Sequence, residues 1–150
     1  MTSTTTAIPN HMTRAFHKKW LKVTAIVIAS LAPTFFLATM EATSEPARWA
    51  LDLVSWPLDG ATTLDHPDTR FLIAITAGLL LGWGATIWFL SGEPYDAAPE
   101  AVRRSVLYGV LAWYVLDNLG SVTSGNPSNV FFNTLILLVG VGPLWRPARD

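Results

Sequence analysis

Among the polar residues that interrupt the apolar C-terminal half of this chain, Asp117, Ser121, Asn129 and Asn133 have a spacing that could do chemistry. Asp117 and Ser121 stand four apart, between Trp113 and Ser124, which places them on one face of a helix. Asn126, Asn129 and Asn133 follow at spacings of three and four, again on one face. At a rise of about 1.5 Å per residue, Asp117 lies about 10 Å from the turn at Ser124, and Asn133 about 10 Å from Asn126. Ser121 and Asn129 match at about 4.5 Å. A helical hairpin therefore brings Asp117 level with Asn133 and Ser121 level with Asn129. Unpaired polar groups facing lipid are costly, so both ladders are expected to turn inward. Two chemistries fit. One is interhelical glue, at on the order of 1 kcal/mol per hydrogen bond. The other is a polar pocket whose carboxylate accepts a proton or contacts a ligand. Asn118 points about 100° away, toward an adjoining helix.

The elements that carry these groups are long apolar runs at 21–40, 71–90, 105–122 and 130–145. Each is near the ~20 residues a helix needs to cross a hydrocarbon core of ~30 Å. Lipid offers the backbone no hydrogen-bond partner, so such runs are read as helices. The expected fold is all-α: an integral membrane four-helix bundle with a short amphipathic interfacial helix in the first external loop. Residues 1–20 form a disordered, basic cytoplasmic segment, residues 21–145 the four-span domain, and residues 146–150 a cytoplasmic tail. The first run is read as a retained span and not a cleaved leader.

Between the first two spans, Pro46 suits a first helical turn. Trp49, Leu53 and Trp56 then recur at one-face spacing, predicting an interfacial helix over 46–56 with those three side chains toward lipid or bundle and Asp52 toward water. Arg48 and Asp52 are expected to pair. Asp65-His66-Pro67-Asp68 reads as a turn. In span two, Ala74, Gly78, Gly82 and Thr86 form a small-residue row that lets a helix approach closely, against span one with its Ala25, Ala29 and Ala32, or against a second copy. Pro33 is expected to kink span one. Trp20, Trp88, Tyr108 and Trp145 read as belt anchors, and Trp83 and Trp113 as deeper core aromatics. Asn126 and Pro127 are expected to cap and start the fourth helix.

The net charge of −1 offers no basic patch for nucleic acid. No cysteine is present, so disulfide and thiolate chemistry are excluded. No spanning histidine and only one spanning aspartate are available, so no catalytic site, cofactor or metal site is expected. Lys and Arg divide eight to two: Arg14, Lys18, Lys19, Lys22, Arg103, Arg104, Arg146 and Arg149 on one side, Arg48 and Arg70 on the other. The positive-inside rule then puts both termini in the cytoplasm.

The stretch from Trp113 to Ser121, with Ser124, Gly125, Asn126, Asn129 and Asn133, resembles a group of small uncharacterised proteobacterial inner-membrane proteins. These share an Asp-polar-x-Gly-Ser helix end, a turn and an Asn-rich helix. The resemblance implies a bacterial inner-membrane setting and no particular activity. The expected function is that of a non-enzymatic accessory subunit or assembly factor. The alternative is a small transporter or channel component using the Asp117–Asn133 pocket. Expected partners are the lipid bilayer and either another membrane protein or a second copy of the chain. Reporter fusions at residue 60 and at the C-terminus should report opposite sides of the membrane; both on one side would overturn the topology.

Overall fold

Local chemistry sets where the helices begin. In the computed structural model, which describes residues 13–148, Thr13 accepts the Phe16 N–H at 3.2 Å and opens α1 (Arg14–Leu37). A 3-10 turn at Glu41–Thr43 leads to α2 (Glu45–Ser55), with Pro46 in its first turn. His66 caps α3 (Pro67–Leu90): its Nδ1 accepts the Asp68 N–H at 3.3 Å. The short α4 (Glu93–Ala97) precedes α5 (Pro99–Thr123), whose first turn holds Pro99 and Glu100. α6 (Asn129–Val141) follows a tight turn and tightens into a 3-10 turn at Gly142–Trp145. The described residues contain no strand.

Several boundaries differ from expectation. α1 starts at Arg14, not at residue 21, so the basic cluster Arg14, His17, Lys18, Lys19 is helical and not part of a disordered segment. The rest of that expected segment, residues 1–12, lies outside the described residues. The α1 helix continues through Pro33 to Leu37. Asn126 does not cap α6. It and Pro127 form the turn, where their carbonyls accept from Asn129 and Val130 at 3.2 Å each. The helix proper begins at Asn129.

Among the described residues, two helices, α1 and α3, are long and apolar enough to cross a membrane. α5 has 25 residues but carries Glu100, Arg103, Arg104 and Asp117, which lower its hydropathy. α6 has 13 residues, about 20 Å of helix.

α1 is the central element, packed along α3 and touching α2, α6 and the last turn. α5 packs mainly on α6. The main apolar core joins Leu21, Ala25 and Ile28 of α1 to Ile87, Tyr95, Val106, Val110, Leu137, Val141 and Leu144. Trp83 and Trp113 pack against it, their rings 6.1 Å apart. A second cluster, Ala38, Ala47, Leu64 and Ile73, holds the opposite end around α2.

The α1–α3 contact uses a different face of α3 from the one its small residues suggested. Ile73, Ala77, Gly84 and Ile87 are buried, whereas Ala74, Gly78, Gly82 and Thr86 are exposed. The close approach is at Gly84, where a Cβ would lie 2.7 Å from Ala29 Cβ and 2.8 Å from the Ala25 carbonyl oxygen. Bulky Ile73 and Ile87 flank Gly84 and Ala77 on one stripe, so packing follows apolar bulk around one small contact and not the longest run of small residues.

In α2 the buried face holds Ala47 and Asp52, while Trp49 and Trp56 are exposed and Leu53 is half-buried. The expectation that Asp52 faces water is wrong: it is 4% exposed. Its carboxylate accepts from Gly60 N–H at 2.9 Å, Thr62 N–H at 3.4 Å and Thr62 Oγ1 at 3.1 Å. These donors, the Gly60 N–H above all, hold its carboxyl below the usual aspartate range. Arg48 does not pair with Asp52; its guanidinium reaches Glu45 at 2.8 Å, whose carboxylate has no competing loop donors. The anchored loop gives the short α2 a partner that periodicity alone does not reveal.

A methyl group at Gly84 must push apart two backbones in contact. Gly84→Ala should therefore lower stability by about 1–3 kcal/mol. Gly82→Ala, with nothing within 4 Å of its Cβ, should be neutral or slightly stabilising, since Ala is the better helix former. Thermal unfolding of both variants in one detergent checks the contrast. Equal melting temperatures would show that Gly84 does not set the α1–α3 distance.

Candidate functional site

The α5–α6 hairpin brings Asp117, Ser121, Asn129 and Asn133 into one hydrogen-bonded cluster. Asn133 Nδ2 donates to Asp117 Oδ2 and, at 2.8 Å, to Asn118 Oδ1. Asn129 Nδ2 donates to Ser121 Oγ at 2.9 Å and to Asp117 Oδ2 at 3.3 Å. Ser121 Oγ donates back to the Asp117 carbonyl at 2.8 Å. An amide nitrogen has two protons, so the donors of both amides are fully used. Both side-chain bonds to Asp117 fall on Oδ2, and no described residue donates to Oδ1. A turn deeper, Tyr114 Oη meets Thr134 Oγ1 at 3.0 Å. The Thr134 hydroxyl proton goes to the Val130 carbonyl at 2.7 Å, which makes Tyr114 the donor.

Each position follows from helix geometry. Asp117 and Ser121 share a face at four-residue spacing, as do Asn129 and Asn133. Two antiparallel helices joined by a tight turn then match depths residue for residue. Asn118, expected to point toward an adjoining helix, meets α6 through Asn133 and so joins this cluster. Asn133 sits between positions 117 and 118, so its two protons divide between them.

Beside the cluster lies a groove of about 460 Å³, bordered by Leu51 and Val54 of α2 and by Trp113, Asp117, Ser121 and Asn129. Ser128 Oγ donates to the Val54 carbonyl at 2.7 Å and ties the end of α2 to the start of α6. The interfacial residues Trp49, Leu53 and Trp56 do not line this groove, nor do Ala74, Gly78 and Gly82. Those three small residues lie apart on α3, where Ala74 and Gly78 edge an apolar groove with Ala32, Pro33 and Phe36.

Sequence reasoning missed the opposite end. There α1 begins, α4 and α5 meet, and the chain returns after α6. His17 is fully buried beside Tyr95, Glu100 and Arg103. Arg103 grips the Glu100 carboxylate through Nε and Nη2, each at 2.7 Å, and its Nη1 donates to the Leu144 carbonyl. Arg104 Nε adds a bond to Glu100 at 2.6 Å. These bonds, Arg103 first, hold the Glu100 carboxyl at about 2. Lys18 pairs with Asp96 at 2.6 Å. A signal for His17 exists in the sequence: it stands four residues before Leu21 and shares the face of Thr24 and Ile28. Its basic neighbours hid that register.

Trp20 is half-buried against the main core, and its Nε1 donates to the Val139 carbonyl at 3.0 Å. Trp88, Tyr108 and Trp145 are exposed, and Lys22 Nζ stands 5.2 Å over the Trp88 ring.

No family model, curated protein or solved structure matches this chain.

The cluster separates two roles by substitution. Asp117→Leu leaves both amides without their acceptor and should loosen the hairpin by on the order of 1 kcal/mol or more. If the cluster is glue, Asp117→Asn keeps an acceptor oxygen and should change stability and complex abundance little. Thermal unfolding in detergent, with native-complex abundance, reads both. A stable but inactive Asp117→Asn protein would overturn glue in favour of a titrating or ligand-binding carboxylate.

Proposed function

We propose that this chain is a non-enzymatic integral membrane protein of the bacterial inner membrane. It crosses the membrane four times with both termini in the cytoplasm, and it serves as an accessory subunit or assembly factor of a larger membrane complex. The observation that carries this reading is the outward-facing apolar surface. Large side chains stand exposed along every long helix, Phe89 at 73% and Leu116 at 71% among them. In water such a surface drives association; in lipid it is the solvent-matched face. The ends of the helices favour the same reading. The first and last described segments, at Arg14 and at Pro147–Ala148, lie at the end where Lys18, Arg103 and Arg104 gather, an arrangement that fits the positive-inside rule.

The accessory role rests on what the apolar surface contains. The exposed row Ala74, Gly78, Gly82 and Thr86 suits a second helix at close range, and the motif resemblance at the α5–α6 turn points to the same setting. The second reading, a small transporter or channel component, is favoured by the groove beside Asp117 and by the free Oδ1 of that carboxylate. Purification from native membranes in mild detergent distinguishes them. A stoichiometric complex with a different membrane protein is the expected result. Recovery of the chain alone or only as a homo-oligomer would overturn the accessory role.

A further inference from the structure

The end of the molecule that gathers the termini contains a cavity of about 370 Å³, walled by Arg14, His17, Tyr95, Glu100, Arg103 and Arg104. Two wall residues are buried polar groups without partners. Tyr95 is 1% exposed and its hydroxyl makes no hydrogen bond; His17 is 0% exposed and neither ring nitrogen makes one. The Pro143 backbone lies near the imidazole but outside hydrogen-bond geometry. An unmet buried donor is costly, and most such groups in folded proteins are bonded to something. A second, smaller cavity of about 280 Å³ adjoins it through Arg14 and Tyr95, and adds the Lys18–Asp96 pair.

Charge identifies what the cavity suits. Its wall carries three guanidinium groups and one carboxylate. Glu100 engages Nε and Nη2 of Arg103 and Nε of Arg104. A guanidinium has five N–H donors, so both arginines keep unused ones. α5 starts at this wall with no side-chain cap, so the positive end of a 25-residue helix also faces the site. Burial pushes the Tyr95 phenol up, keeping its proton available for donation.

We propose that this cavity binds a phosphate group, with Arg103 and Arg104 as the charged fork, and with the Tyr95 hydroxyl and His17 imidazole as the buried donors. Phosphate oxygens accept several hydrogen bonds at once and match guanidinium geometry. The same chemistry is offered by the headgroup of an anionic lipid and by free phosphate.

The test uses the full-length protein in a neutral maltoside detergent at constant ionic strength set with chloride. Three probes are titrated: inorganic phosphate, dihexanoyl phosphatidylglycerol, and dihexanoylglycerol, which lacks the phosphate. A saturable rise in melting temperature is expected with at least one phosphate-bearing probe and not with dihexanoylglycerol. A response to inorganic phosphate assigns a free-phosphate site; a response to phosphatidylglycerol alone assigns a lipid headgroup. Arg104→Gln, at a largely exposed side chain, should fold normally and weaken the response about tenfold or more. Tyr95→Phe removes an unpartnered hydroxyl, so without ligand it should melt at or above the wild-type temperature, yet bind phosphate more weakly. A purely structural role for Tyr95 does not produce that split. Absence of any response, or equal responses from the wild type and both variants, would overturn the proposal.

Discussion

The distance between α1 and α3 at Gly84 governs the rest of the fold. Backbone meets backbone there, with Ala25 and Ala29 on the other side. That approach fixes α1, and α1 is the helix against which most other elements are placed. Its buried stripe of Leu21, Ala25 and Ile28 forms the centre of the main core. Where α1 is set, α6 is set too, because Thr24 and Trp20 reach its final carbonyls. The α5–α6 hairpin then carries the Asp117 cluster at one end and delivers Arg103 and Leu144 to the other.

The two polar sites obey opposite rules. In the Asp117 cluster, each amide proton of Asn129 and Asn133 has an acceptor, and the arrangement is closed apart from one carboxylate oxygen. Around His17 and Tyr95, the charged groups are paired while the buried neutral ones are not. A satisfied network rigidifies the elements that carry it. An unsatisfied one retains capacity for a further partner. The hairpin cluster therefore reads first as architecture, and the arginine-lined cavity as the part of the molecule with hydrogen-bonding capacity to spare.

Much of the helical layout was legible because it rests on local rules. Pro46 placed the start of α2, and simple helical rise matched Asp117 to Asn133. The errors came where a choice depended on a distant partner. The small-residue row on α3 was a sound signal for close packing, but only Gly84 meets α1, since Ile73 and Ile87 decide which face turns inward. Asp52 was assigned to water because a helical carboxylate normally belongs there; the loop at Gly60 and Thr62 supplies its donors from eight and ten residues away. His17 and Tyr95 were invisible as a pair, because 78 positions separate them and the spacing that turns His17 inward says nothing of Tyr95. The run over 130–145 ended as a helix at Val141, where Gly142 takes φ 36° and turns the chain.

The way α6 ends has a consequence for biogenesis. Terminal carbonyls of a helix have no partner within it. Here Val139 receives the Trp20 indole, Gly140 receives the Thr24 hydroxyl, and Leu144 in the closing turn receives the Arg103 guanidinium. All three donors belong to segments synthesised earlier. α6 is therefore finished by α1 and α5, and its C-terminal end acquires a hydrogen-bonded surrounding only once they are in position.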